Sequence, residues 1–246
     1  MNMQKTFEGK VALVFGGSRG IGAGIAMRLA AEGADVALTY VTQPQKAASV
    51  IAEIERLDRH GLAVKADSTD AEEIRAAVKA TVERFGRLDI AVVNAGILPP
   101  RGPIDQIALE DLDRGLAVNV RGVFLAIQAA QSEMREGGRV ITIGSNTAVK
   151  AFTGSSVYSM TKAAVAMLVK CAALDLAPRG ITVNNIQPGP IHTDMTSGLI
   201  DQVRQMIPLK RIGSPSEIGA MVAYLAGPEA GYVTGASLTV DGGMSL

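Results

Sequence analysis

Tyr158 and Lys162 stand four residues apart in Tyr158-Ser159-Met160-Thr161-Lys162. On a helix, positions i and i+4 share a face one turn apart, which would set a phenol beside an ammonium. A free phenol titrates near about 10 and shuttles protons poorly at neutral pH, whereas a neighbouring cation favours the phenolate. Two unit charges about 4 Å apart interact by roughly 4 kcal/mol at an effective dielectric of 20. A tyrosine tuned in this way serves as a general acid or base. Ser145 follows the apolar run Arg139–Ile143, and a strand there would deliver it to a carboxyl end, where open α/β sheets hold ligands. The Tyr-x-x-x-Lys spacing alone describes a solvated helix surface equally well, so its meaning depends on the elements around it.

Those elements belong to a chain of 246 residues with 48% hydrophobic side chains, enough for one large core. No linker-like break divides it, so a single domain spanning 1–246 is expected. The 24 basic and 24 acidic residues are scattered and sum to a formal charge of +0. That balance gives nucleic acid no electrostatic footprint and favours a small-molecule partner. One cysteine, Cys171, excludes an internal disulfide and suits a reduced, cytoplasmic compartment. No uninterrupted run approaches the roughly twenty apolar residues of a membrane helix. With two histidines, His60 and His192, neither a metal site nor a histidine-based triad is expected.

The apolar run Lys10–Phe15 ends in Gly16-Gly17-Ser18-Arg19-Gly20-Ile21-Gly22 and passes into an Ala-rich helical stretch reaching Glu32. Strand, glycine turn and helix start in this order make a phosphate cradle, in which free N–H groups at the helix start face the anion. A second strand, Asp35–Tyr40, ends in the uncharged Thr39, Tyr40, Val41 and Thr42. An acid at this end would hold the ribose hydroxyls of NAD. Asp35 lies at the wrong end, whereas Arg19, with Lys46 a weaker candidate, can meet a 2′-phosphate. The expectation is NADPH in preference to NADH. Past the strand Leu62–Lys65, Asp67 and Ser68 stand where a carboxylate can accept from adenine, and Asp67 can equally cap the helix starting near Ala71. The strand Asp89–Asn94 runs into Ala95-Gly96, small enough for close approach to a flat ring.

One long helix is expected from Leu109 to Arg135, with Asn119 in its apolar stripe. A buried amide there must be satisfied, and bonding to backbone is one solution. The segment from Tyr158 to Ala177 reads as the helix of the Tyr-Lys pair. A strand over Ile181–Ile186 leads into Pro188-Gly189-Pro190-Ile191-His192-Thr193, and the irregular chain over about 190–212 suits a substrate lid. A helix from Pro215 to Leu225 and a strand over Ser237–Val240 complete the pattern. Alternating strands and helices imply an α/β Rossmann fold, a doubly wound parallel sheet of about seven strands with helices on both faces.

These motifs taken together closely resemble the classical short-chain dehydrogenase/reductases over essentially the whole chain. The matching residues are Gly16, Gly20 and Gly22, Asp67, Asn94-Ala95-Gly96, Asn119, Ser145, Tyr158 with Lys162, and Pro188-Gly189 followed by Thr193. The resemblance implies that Tyr158 protonates a carbonyl oxygen as hydride arrives, or removes the alcohol proton in reverse. It implies that Lys162 lowers the Tyr158 pKa and holds the nicotinamide ribose, that Ser145 holds the substrate oxygen, and that Asn119 positions a relay water. Ile191 and Thr193 would fix the carboxamide. The implied activity is NADPH-dependent reduction of a ketone, similar to that of the 3-oxoacyl-acyl-carrier-protein reductases. Helices 109–135 and 158–177 would pack between copies in a homotetramer.

Phe15 and Val93 depart from the family pattern, standing where it usually has Thr and Asn. Losing both polar groups together suggests an apolar brace, with altered cofactor affinity and retained activity. Leu98, Asn146, Phe152, Pro190 and Met195 suggest a mainly apolar substrate pocket. The alternative is a regulatory nucleotide-binding protein on the same fold.

Overall fold

The computed structural model describes residues 5–193 and 200–246, the side chains of 200–202 excepted. Its strands are β1 (Val11–Phe15), β2 (Asp35–Tyr40), β3 (Gly61–Lys65), β4 (Ile90–Val93), β5 (Arg139–Ile143), β6 (Thr182–Pro188) and β7 (Ser237–Val240). They form one sheet in the order β3-β2-β1-β4-β5-β6-β7, with every neighbouring pair parallel. The chain winds outward to β3 and then returns to start β4 beside β1. A crevice therefore opens at the carboxyl ends of β1 and β4, where Gly16 and Asn94 emerge.

Both faces of the sheet are covered, and successive side chains alternate between them. Ala12, Val14, Val36, Leu38, Ile90 and Val92 pack with Ile25 and Leu29 of α1 (Gly20–Ala31), Ile54 of α2 (Pro44–Glu55) and Val222 of α8 (Pro215–Ala226). Leu13, Phe15, Ala37, Ala91 and Val93 face the other way. They pack with Val78 of α3 (Ala71–Phe85), Val123 of α5 (Gly122–Glu133) and Val169 of α6 (Ser156–Leu176). The near-continuous apolar strands are thus two interleaved cores.

The helix expected over 109–135 is interrupted. α4 (Leu109–Leu116) passes through a π-helical turn, Ala117–Arg121, into α5, which ends at Glu133. Asn119 lies in that turn with no exposed surface. Ser156–Arg179 does reach the length and apolarity of a membrane-crossing helix, contrary to the expectation from uninterrupted runs. Its apolarity serves the fold: Val165, Val169, Ala173 and Leu176 are buried in the core, and Lys162 is buried on the same helix. The irregular stretch expected after Thr193 contains the short helix α7 (Ile200–Met206).

Candidate active site

The glycine turn is held from both sides. The Thr39 hydroxyl accepts the Gly16 N–H at 2.9 Å, and the Asn94 amide donates to the Gly16 carbonyl at 2.8 Å. Gly16 and Gly20 have φ of +72° and +53°, a region where a side chain is strained. A Cβ on Gly22 would run into the Gly16 carbonyl oxygen, so the first turn of α1 can close under the loop only with glycine there. Gly20 and Ile21 then line the cleft at the start of α1, where main-chain N–H groups have no helical partner. This cradle fits a diphosphate. Thr39 read in sequence only as an uncharged strand end. Its bracing role depends on the β1–β2 register, which the sequence pattern does not show.

One cleft of about 1330 Å³ takes in Gly16, Ser18, Arg19, Gly20, Ile21, Tyr40, Asp67, Ser68, Asn94, Ala95, Gly96, Ser145, Tyr158, Lys162, Pro188, Gly189, Ile191 and Thr193. Of the described sequence candidates for cofactor and catalysis, Gly22, Asn119 and the weaker candidate Lys46 do not line it. Asp67 keeps a place in the cleft but does not cap α3. Asp70 does that, accepting from the Glu72 and Glu73 N–H groups, while the Asp67 carboxylate takes the Thr69 N–H and hydroxyl, both at 2.8 Å. Asp35 accepts the His60 N–H at the far end of β2, away from the cleft.

β5 and α6 bring the proton-carrying groups together. Lys162 is 5% exposed, and its ammonium donates to the Ile143 carbonyl at 3.0 Å, at the end of β5. It lies 5.6 Å from the centre of the Tyr158 ring. Burial lowers the Lys162 pKa to about 8. Burial also raises the Tyr158 phenol, partly offset by the Ser145 hydroxyl and the positive charge of Arg101. The expected lowering of Tyr158 by Lys162 is therefore corrected. Desolvation dominates both groups, and the ammonium sits over the ring and bonds to a carbonyl. The shifts move the two proton affinities apart, the phenol holding its proton more tightly and the ammonium less tightly than in water.

Asn119 forms a two-way pair with the Ile97 main chain, accepting its N–H and donating to its carbonyl, each at 2.9 Å. Its amide also reaches the Thr161 hydroxyl at 3.3 Å. The satisfied core amide thus describes its side chain. A Cβ on Gly96 would stand 3.3 Å from Asn119 Oδ1 and 3.5 Å from Lys162 Nζ, so glycine leaves open the space between amide and ammonium.

Sequence reading also missed a clamp behind Ser145. The Asn146 amide donates to Asp241 at 3.3 Å, and Lys150 Nζ donates to the Met244 carbonyl at 2.6 Å. The Asp241-Gly242-Gly243 turn was its only signal. Leu98, Asn146, Phe152 and Pro190 line the cleft as expected, but so do Arg101 and Arg114, which makes this end less apolar than the sequence suggested. Met195 lies outside the described residues, as does part of the expected lid. Val203 and Met206 of α7 line the cleft. Among the described residues no cluster of metal-ligating side chains occurs.

Residues 16–245 match the family described as enoyl-(acyl carrier protein) reductase. The chain is 40% identical over 243 residues to the 3-oxoacyl-[acyl-carrier-protein] reductase FabG of Staphylococcus aureus, covering 96% of this chain and 98% of that one. A short-chain dehydrogenase/reductase from Serratia marcescens superposes with a TM-score of 0.95 at 51% identity, covering 98% of this chain and 100% of that one. A short-chain dehydrogenase from Burkholderia cenocepacia, solved in complex with NADP, superposes with a TM-score of 0.94 at 45% identity, with the same coverage. A switch-point crevice with a glycine cradle at one end and a serine, tyrosine and lysine at the other accords with these likenesses, and the chain belongs to the short-chain dehydrogenase/reductase family as an NAD(P)-dependent oxidoreductase similar to the 3-oxoacyl-acyl-carrier-protein reductases.

Proposed function

We propose that the protein reduces a ketone to a secondary alcohol with NADPH, Tyr158 acting as the general acid. The observation that carries this reading is the meeting of Ser145, Tyr158 and Lys162 in the cleft that holds the glycine cradle. Gly16, Ser18, Gly20 and Ile21 would hold the diphosphate on the turn that Gly22 lets close, and Arg19 the 2′-phosphate. Tyr40, Asp67 and Ser68 would flank the adenosine. Asn94, Ala95, Gly96, Pro188, Gly189, Ile191 and Thr193 would bound the nicotinamide half. When bound, the cofactor supplies hydride to the carbonyl carbon.

The chain supplies orientation and the proton. Ser145 would hold the substrate oxygen, and Tyr158 would give that oxygen its proton. Lys162, fixed by the Ile143 carbonyl, would return a proton to Tyr158. Asn119 would hold the Ile97 loop and, across the gap at Gly96, a water that resupplies Lys162. A lid over about 190–212 and a homotetramer belong to the same reading. The tetramer is supported by the exposed Phe124, Met160, Met167 and Leu174 on α5 and α6, an apolar face that a second copy would cover.

Nicotinamide absorbance followed with NADPH and then NADH, against a panel of aryl, alkyl and β-keto ester ketones, tests the reading. Oxidation faster with NADPH, and lost in Tyr158→Phe, is expected. Cofactor binding without turnover of any ketone would favour a regulatory nucleotide-binding protein, and equal or tighter NADH binding would remove the assignment of Arg19.

A further inference from the structure

We propose that Arg101 and Arg114 form an anion subsite at the substrate end of the cleft, and that the substrate is a small ketone carrying a carboxylate beyond its carbonyl. The inference rests on the reductase reading and names its substrate class. Arg101 and Arg114 both line the cleft that contains Tyr158. Among the described residues neither has a carboxylate within ion-pair distance, although most arginines of this chain that pair do so with a neighbouring acid. Among the described residues the only acid lining the cleft is Asp67, whose carboxylate is committed to Thr69. Lys150 is committed too, to the main-chain oxygens of Met244 and Leu246. Apart from Lys162, held by the Ile143 carbonyl, the positive charge left for a ligand at this end among the described residues is therefore that of the two arginines.

The loop carrying Arg101 is fixed at three points. Ile97 is paired in both directions with Asn119. Pro99 packs on α4 where Gly115 has no side chain, since a Cβ there would lie 3.2 Å from Pro99 Cγ. Gly102 donates its N–H to the Gly154 carbonyl at 3.1 Å, and Gly154 holds φ of +71°, a conformation suited to glycine. Gly115 also abuts Val157, the neighbour of Tyr158, which sets Arg114 beside the start of the catalytic helix. Arginines on so restrained a frame give up little freedom when they bind an anion, and the guanidinium fork matches a carboxylate. Leu98, Phe152 and Met206 line the same end, suiting a short apolar chain between ketone and carboxylate. The Tyr158 phenol already feels the Arg101 charge, which draws its pKa down.

The test is calorimetric titration of the NADP+-loaded protein with 4-oxopentanoate and 5-oxohexanoate, each against its methyl ester, followed by turnover of all four with NADPH. The acids are expected to bind at least about tenfold tighter than the esters, as a charge-assisted pair allows. Arg101→Ala should bring acid and ester within about twofold, Arg101→Lys should keep part of the gap, and about 0.5 M salt should weaken the acids alone. Equal binding of acid and ester, binding of neither, or a preference that survives Arg101→Ala combined with Arg114→Ala would overturn the proposal. So would higher kcat/KM on a 3-oxoacyl group carried by acyl carrier protein than on either acid, which would assign the arginines to the carrier. Acids that bind by way of Arg101 but are never reduced would sink the reductase reading and leave the anion subsite standing.

Discussion

Phe15 and Val93 are register neighbours across the β1–β4 ladder, and each is 2% exposed within the same apolar cluster. The two departures from the family pattern are thus one paired substitution, with carbon packed on carbon where a hydroxyl and an amide would otherwise meet. Polar bracing of the glycine turn passes to Thr39 and Asn94.

A double-mutant cycle checks this pairing. Phe15→Thr should cost about 3 kcal/mol through lost packing, and Val93→Asn about 2 kcal/mol through an unsatisfied amide. The double variant should recover about 1 kcal/mol of the sum, because each new polar group gains a partner. Urea unfolding reads all four corners, and strictly additive losses would mean the two positions do not interact.

Tyr158→Phe should bind NADPH with an affinity close to that of the native protein and lose about 10²- to 10⁴-fold in kcat, the usual contribution of a positioned acid. Fluorescence titration and steady-state rates separate the two. Near-normal kcat in this variant would refute the role of the phenol.

Lys162 has a folded-state pKa of about 8 against an ordinary 10.5. Below about 8 it is protonated in both folded and unfolded chains, so its burial opposes folding by a constant amount. Between about 8 and 10.5 the unfolded chain binds the proton and the folded one does not, so stability should rise with pH. Relative to Lys162→Met, the native protein should gain on the order of 3 kcal/mol across that window. Denaturant midpoints at pH 7, 9 and 10.5 test the slope. A flat difference would mean that the folded-state pKa is not lowered, the ammonium being solvated.

Glu217 is held down to about 2, chiefly by the two-pronged contact with Arg211 and also by the Ser214 N–H. A depressed carboxylate stabilises above its unfolded value and loses that contribution as pH falls through the folded one. The native protein should therefore exceed Glu217→Gln in stability at pH 7, by up to about 1 kcal/mol given solvent screening. The gap should close between about pH 4.5 and 2. Thermal unfolding across that range decides it.

The strands and the doubly wound order were legible because they rest on local patterns, namely short apolar runs cut off by glycine and polar residues. What sequence could not place were contacts chosen by register or by the exact start of a helix. Asp67 and Asp70 are equivalent on paper, and only the first turn of α3 decides which carboxylate meets its N–H groups. Asn119 looked like one polar position in a continuous helix, yet its bonding to Ile97, 22 residues earlier, accompanies a π-helical turn that periodicity cannot reveal. The direction of the Tyr158 shift was missed for a similar reason. Spacing places Lys162 on the same face, but burial, which sequence does not measure, dominates the phenol and outweighs the Ser145 hydroxyl and the Arg101 charge.

The Asn146 clamp ties the order of synthesis to the assembly of the site. Its carboxylate partner, Asp241, comes 95 residues later in the chain, and the Met244 carbonyl comes 94 residues after Lys150. A ribosome that has released everything through β6 has made every sequence-read catalytic residue, yet not the segment that fastens the loop beside Ser145. The glycine turn at β1 can form early, whereas the end carrying Ser145 gains this support only when residues 241–244 emerge. A nascent chain would thus acquire nucleotide affinity before it acquires turnover.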